Sequence, residues 1–98
     1  MAEKEPKVIC RTPTPGKNPT RIPTWKYELV RDAILSALPE DGGSMAFKDL
    51  SKYIGSRLSR EERFRLGSVG WHTTTVKLDM EVKGEIERVP GSNPQHLR

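Results

Sequence analysis

Apolar residues recur every three or four positions in three stretches of the chain, and this spacing predicts three main amphipathic helices. The first should start just after Pro23, with Thr24 as a cap, before a loop that opens at Pro39. Its apolar stripe consists of Tyr27, Val30, Ala33, Ile34, Ala37 and Leu38. The second should end near Arg57, and its stripe consists of Phe47, Leu50, Ile54 and Leu58. Two amphipathic helices therefore precede residue 59.

The third main helix is predicted from Val69 to Lys83, with Gly84 in the left-handed position that often ends a helix. Stepping about 100° per residue places one group of its side chains on the core-facing side. That group consists of Trp71, Thr75, Leu78 and Val82. If Trp71 is buried as predicted, replacing it by alanine should cost about 3–5 kcal/mol. The whole core is predicted to contain Tyr27, Val30, Ile34, Leu38, Phe47, Leu50, Ile54, Trp71, Leu78, Val82 and Ile86.

A short helical segment is predicted between the second and third main helices. Ser59 and Glu62 have the spacing of a capping box, in which each side chain satisfies the backbone N–H of the other. Phe64 and Leu66 are expected to anchor this segment on the core.

The remaining apolar positions predict a little β structure. Met45–Ala46 is long enough only for a minimal strand, and residues 85–89 are interpreted as a second strand. Residues 90–94 contain two prolines and a glycine and predict a tight reversal, after which residues 95–98 can return as a partner strand. The predicted fold is therefore mainly α with a small C-terminal β-hairpin. The order of its elements is that of a winged helix-turn-helix domain.

The first 23 residues differ in composition from the rest. They contain five of the eight prolines, no aromatic residue and a net charge of +3, whereas residues 24–98 carry only +1. Such a segment predicts an extended, mobile basic arm that precedes a domain of residues 24–98. Val8–Cys10 is the exception, because this apolar run can pair as an edge strand or lie in a groove.

The stretch from Trp71 to Gly91 (WHTTTVKLDMEVKGEIERVPG) carries a resemblance to known proteins. It resembles the pattern of an uncharacterised bacterial family of small winged-helix-like proteins, and the similarity extends from about Pro13 to Arg98. The closing part, where a helix ends in glycine before Ile-Glu-Arg, is also similar to winged-helix domains of restriction systems. The resemblance implies a fold and no activity, because a fold does not fix a function.

Composition excludes several classes of protein. No apolar run approaches the roughly 20 residues that span a bilayer, and the first residues lack a basic stretch followed by an apolar one, so we expect a cytoplasmic protein without a membrane partner. The single cysteine, Cys10, and the absence of a Cys–His cluster predict neither a disulfide nor a metal site. We expect no cofactor.

The sequence does not favour an enzyme. It contains no nucleophile motif, no phosphate-binding glycine loop and no metal-ligand spacing. His72 and Asp79 could share a helix face, but that spacing is too common to indicate catalysis. His72 and His96 are interpreted as residues of a helix start and of the wing.

Binding to double-stranded DNA is the preferred hypothesis, because the third helix of such a domain enters the major groove. The residues expected to contact bases are His72, Thr73, Thr74 and Lys77. The residues expected to contact phosphates are Arg57, Arg60, Arg63, Arg65, Arg88 and Arg98. Reversing the charge of Lys77 and Arg63 together should abolish DNA binding without lowering the melting temperature. A simpler interpretation of the arginines is a solvated turn of weak arginine–glutamate pairs.

The alternative hypothesis is a protein-interaction or homodimerisation module without nucleic-acid binding. It draws on the low charge of residues 24–98 and on the carboxylates near the end of the third helix. Val76 and Met80 would form the interface if they are exposed, together with Val8 and Ile9 of the arm. Two other interpretations stay open: Val8 and Ile9 cover this patch within the chain, or the third helix is buried on two sides.

Overall fold

The computed structural model describes residues 5–98 and begins with a β-hairpin. Strand β1 (Lys7–Cys10) pairs antiparallel with β2 (Thr20–Pro23), with Val8 opposite Ile22 and Cys10 opposite Thr20. Cys10 and Ile22 are buried members of the core, and Val8 packs against it.

This hairpin changes the predicted domain boundary. Residues 1–23 were expected to form an extended arm, but the packed domain already begins at β1, and the suggestion that Val8–Cys10 pair as an edge strand is confirmed. The prediction of an extended arm is wrong because the few apolar side chains of this segment alternate inward along two paired strands. The surrounding prolines and lysines conceal this pattern in the sequence. Residues 1–4 of the predicted arm lie outside the described residues.

Helix α1 (Thr24–Ala37) has the predicted apolar stripe. Tyr27, Val30 and Ile34 are buried, and the other three members of the stripe pack against the core. Thr24 is the first helical residue rather than the cap, because the cap position is Pro23. The Thr24 N–H donates to the Pro6 carbonyl at 2.9 Å. A backbone carbonyl just before β1 thus accepts a hydrogen bond from the first N–H of α1.

Helix α2 (Phe47–Arg57) and the short helix α3 (Arg60–Leu66) follow. The capping box of α3 is confirmed: Ser59 Oγ accepts from the Glu62 N–H at 3.0 Å, and Glu62 Oε1 accepts from the Ser59 N–H at 2.8 Å. Leu66 is buried as predicted. The prediction that Phe64 also anchors the segment is wrong, because its side chain is 87% exposed.

Helix α4 (Val69–Lys83) has the predicted bounds, and Gly84 ends it in the left-handed conformation at a φ of 77°. The Glu85 N–H returns to the Met80 carbonyl at 2.9 Å, which closes the last turn. The predicted orientation of this helix is wrong. Trp71 and Val82 are 48% and 44% exposed, while Val76 and Met80 on the opposite face are fully buried.

A small sheet closes the fold. Strand β3 (Met45–Ala46) pairs antiparallel with β4 (His96–Leu97), and Leu97 also forms a bridge with Arg88. The predicted strand at residues 85–89 is thereby reduced to a bridge, although Glu87 and Arg98 exchange two backbone hydrogen bonds. The last strand lies between β3 and the segment that follows α4.

The core lies between α1, α2, α4 and the hairpin. Its buried members include the predicted Leu50, Ile54 and Ile86, whereas the predicted Leu38 and Phe47 are only partly buried. Within the described part of the chain, no helix has the length and apolar character that a membrane crossing requires.

The orientation of α4 can be tested by comparing two truncations. Met80→Ala removes a fully buried side chain and should destabilise the protein by about 2–5 kcal/mol in urea unfolding. Trp71→Ala should cost less than Met80→Ala, because the indole is already about half exposed to solvent in the folded protein. A larger loss for Trp71→Ala than for Met80→Ala would mean that α4 presents its other face to the core.

Candidate nucleic-acid interface

Three of the four residues predicted to contact bases are buried. His72, Thr73 and Lys77 lie on the inner face of α4, and only Thr74 is exposed. Their predicted position on an outward face is wrong for the same reason that Trp71 was misplaced: the helix is turned by roughly half a revolution about its axis from the predicted orientation. The outer face of α4 instead presents Trp71, Thr74 and Val82, with Leu78 half-buried between them.

Lys77 is a structural residue in this arrangement. Its ammonium lies 3.3 Å from Glu81 and 4.7 Å from the centre of the Phe47 ring, and its side chain is 2% exposed. Burial lowers the pKa of Lys77, although the neighbouring Glu81 opposes that effect. A charge reversal at Lys77 would place a second carboxylate beside Glu81 inside the protein, so we now expect it to lower the melting temperature.

His72 is held at the first turn of α4. Its Nδ1 lies 2.7 Å from the Ser68 carbonyl, and Ser68 also caps the helix by accepting from the Trp71 N–H at 3.0 Å. Burial lowers the pKa of His72, although the hydrogen bond to the Ser68 carbonyl opposes that effect. The imidazole thus contributes to the helix start and not to an outer surface.

The two hydrophobic residues of the predicted interface on α4 are also internal. Val76 and Met80 are fully buried, which excludes them as an exposed patch. The interpretation that α4 is buried on two sides is wrong, because the face that carries Trp71 and Val82 is exposed. Val8 packs against the core from β1, whereas Ile9 on the next position of the strand points outward. The proposed interface of these four residues therefore does not exist as a single surface.

The arginines predicted to contact phosphates fall into two groups. Arg88 forms an ion pair with Glu81 at 3.1 Å, and Arg98 forms one with Glu87. The other four are exposed and have no carboxylate within 4 Å among residues 5–98. These four are Arg57, Arg60, Arg63 and Arg65, and we refer to residues 57–65 as the arginine segment.

Acidic residues near the arginine segment do not neutralise it. Glu62 is used by the capping box, and Glu61 forms no ion pair within the described structure. Residues 47–66 carry six basic and three acidic side chains, whereas residues 67–98 carry four of each. All four basic side chains of residues 67–98 are ion-paired. Among the described residues, the positive charge without an ion pair therefore lies on α2, α3, the hairpin and Lys26 of α1.

The geometry of α3 determines which side chains the arginine segment presents. Leu66 faces the core, and Phe64 lies on the opposite side of the helix. The Arg65 guanidinium lies 5.1 Å from the centre of the Trp25 ring, and the Trp25 indole donates to Glu5 at 2.7 Å. The Lys26 ammonium donates to the Leu66 carbonyl at 3.1 Å and fixes the end of α3 against α1.

A second polar cluster, which the sequence did not predict, joins the hairpin to the helices. The buried carboxylate of Asp79 accepts from the Arg11 N–H at 2.9 Å and from the Tyr27 hydroxyl at 2.6 Å, and it lies 2.8 Å from the Lys83 ammonium. Burial opposes its ionisation, but these three donors outweigh burial and lower the pKa of Asp79. Hydrogen bonds from the Lys83 ammonium to Asp79 and to the Tyr27 hydroxyl raise the pKa of Lys83.

Cys10 lies beside this cluster. Burial and the nearby Asp79 carboxylate raise the pKa of the Cys10 thiol to about 11, so the thiolate is scarce at neutral pH. Among residues 5–98, no three side chains of His, Cys, Asp or Glu are grouped closely enough to hold a metal ion.

Sequence spacing could have pointed to Asp79 and Lys83, which are four residues apart on a helix. Nothing in the sequence indicates their contacts with Tyr27 and Arg11, which are distant along the chain. The sequence does indicate that Phe64 is exposed. Charged residues flank it on both sides, and no apolar side chain lies three or four positions away to share its face of the helix.

Comparison with known proteins gives one match. The pattern of a family of unknown function (DUF6958) covers residues 7–97 of the chain. The chain belongs to this family. The matched range includes β1 and β2, in agreement with a domain that starts at the hairpin. No curated protein and no solved structure is significantly similar to the chain.

The role of Asp79 can be tested by Asp79→Asn, with the exposed Asp32→Asn on α1 as the matched control. Loss of the charged hydrogen bonds should lower the free energy of unfolding by about 1–3 kcal/mol at pH 7. Because the folded-state pKa of Asp79 lies below its ordinary value of 3.8, the stabilisation is present above that value and disappears as the pH falls through the folded-state pKa.

The measurement is urea unfolding of wild type and both variants from pH 7 down to pH 3. The difference between wild type and Asp79→Asn should shrink toward the acid end, while Asp32→Asn should stay close to wild type throughout. A difference that is constant over this range would mean that the charge of Asp79 does not stabilise the fold.

Proposed function

We propose that this protein is a bacterial winged helix-turn-helix domain that binds double-stranded DNA through its arginine segment. The order of elements supports the fold: α1, β3, α2, α4 and then a C-terminal turn flanked by two paired segments. In the sheet, β4 lies between β3 and Arg88, so residues 89–95 correspond to the wing. The short helix α3 takes the place of the turn between the two helices of the DNA-binding unit.

The observation that carries the proposal is the distribution of free charge. The arginine segment holds four exposed guanidinium groups that lack a carboxylate partner within residues 5–98, on a chain whose C-terminal third is neutralised internally. Guanidinium groups bind phosphate oxygens in bidentate fashion, and phosphate contacts supply most of non-specific DNA affinity. This distribution favours backbone contacts by α3 over base contacts by the predicted residues of α4.

Thr74 is the one predicted base-contacting residue retained in the proposal. It lies on the outer face of α4, three positions after Trp71, where its hydroxyl and methyl groups are free to meet a base edge. Arg88 and Arg98 are removed from the phosphate-contacting group, because using them would require breaking their ion pairs.

The proposed role is binding without catalysis, in the cytoplasm and without a cofactor. The ionisable groups with displaced pKa values support this view, because Asp79, Lys83 and Lys77 are all engaged in contacts that hold elements of the fold together.

The test is fluorescence anisotropy with a labelled mixed-sequence DNA duplex at several salt concentrations. Arg60→Glu combined with Arg63→Glu should weaken binding at least about tenfold and reduce the slope of log affinity against log salt by about 1.8, or 0.9 per lost contact. The matched control is Lys7→Glu combined with Arg21→Glu, which makes the same change in net charge on the hairpin. All these side chains are exposed, so melting temperatures should stay close to wild type.

Equal losses of DNA affinity in the two double variants would mean that net charge alone determines binding. That result would contradict a role specific to the arginine segment. Unchanged affinity in Arg60→Glu with Arg63→Glu would contradict the proposed interface altogether.

A second candidate function is self-association through the outer face of α4. Trp71 and Val82 are exposed and Leu78 is half-exposed on that face, which favours an apolar contact. Sedimentation velocity over a range of concentrations should then show a dimer that Trp71→Ser combined with Val82→Ser converts to monomer. A monomer at all concentrations would exclude this function.

A further inference from the structure

Phe64 is the large apolar side chain most exposed to solvent in the described part of the chain, at 87%. It lies on α3, whose opposite side is fixed to the core by Leu66 and whose start is fixed by the capping box at Ser59. The helix therefore holds the phenyl ring away from the protein, and no rotation of the side chain can return it to the core. One exposed apolar side chain is ordinary on a protein surface, so the surroundings of the ring must show whether a ligand covers it.

Cationic side chains surround the ring. Arg60 precedes Phe64 by one helical turn, about 40° away around the axis, while Arg63 and Arg65 flank it by about 100° on either side. Neither Arg60 nor Arg63 has a carboxylate within ion-pair distance among residues 5–98. An apolar partner surface would leave these charges desolvated and unpaired, so the occupant must combine a flat apolar face with a dense negative charge. A nucleobase within its sugar–phosphate backbone has both.

We propose that Phe64 inserts against a base of the bound duplex at a point where base stacking is already weakened, while Arg60 and Arg63 hold the flanking phosphates. This inference rests on the proposed function and adds the class of DNA that the protein prefers. Apolar wedges of this kind partly unstack a base step at a cost of a few kcal/mol, which is smallest where the step is flexible or interrupted. Phenyl carries no hydrogen-bonding group, so it selects deformable DNA and not a particular sequence.

The experiment compares an intact duplex with the same duplex carrying a single-base bulge next to 2-aminopurine, whose fluorescence reports stacking. Wild type should bind the bulged duplex more tightly and change the 2-aminopurine signal. Phe64→Ala should lose about 5- to 150-fold in affinity for the bulged duplex, the range expected for one stacked base, and much less for the intact duplex. Phe64→Trp, which keeps an aromatic ring at this position, should retain the preference.

Leu35→Ala is the matched control, because it truncates an exposed apolar side chain on α1 and should leave both affinities and the fluorescence unchanged. All Phe64 variants should melt close to wild type, since the ring makes no core contact that their folding requires.

The outcomes separate the inference from the function on which it rests. Binding of both duplexes with equal affinity, unchanged in Phe64→Ala, would overturn the insertion and leave the proposed DNA binding standing. Failure of wild type to bind either duplex at low salt would overturn both. Self-association that Phe64→Ala abolishes, without a preference for the bulge, would assign the ring to a second copy of the chain and overturn its insertion into DNA.

Discussion

The carboxylate of Asp79 is the point at which three parts of the structure meet. It accepts a backbone hydrogen bond from the residue that follows β1, a hydroxyl hydrogen bond from Tyr27 on α1, and an ion pair from Lys83 one turn along α4. A buried carboxylate without partners would be strongly unfavourable, so α4 can bury this residue only when the hairpin and α1 are in place. The hairpin, the first helix and the orientation of α4 therefore depend on one another.

Sequence patterns predict α1 and α2 well because their apolar and polar residues lie on separate faces. In α1 the side chains at Tyr27, Val30 and Ile34 follow a single stripe, and the structure buries all three. Helix α4 lacks this separation. Apolar residues occur on both of its faces, so their spacing does not determine which face is buried. Packing on α1, α2 and β1 places Val76 and Met80 inside.

The candidate site was predictable only in part for a related reason. A count of charges cannot show which arginines are already paired, because the pairs of Arg88 and Arg98 depend on where the chain after α4 returns to the sheet. The capping box at Ser59 was predictable from local spacing, and it is what fixes the direction of α3 and so of Arg60 and Arg63. The exposure of Phe64 follows from the same helix once Leu66 is known to face inward.

Trp25 joins the arginine segment to the first strand. Its indole donates to Glu5 just before β1, and its ring lies under the guanidinium of Arg65. A ligand that draws Arg65 away from the ring removes a cation–π contact that helps to hold the indole in place. Coupling of this kind is reciprocal. If a ligand at α3 changes the docking equilibrium of the hairpin by some factor, displacing the hairpin changes the affinity of that ligand by the same factor. Trp25 is thus the residue through which a ligand at α3 would act on the start of the hairpin.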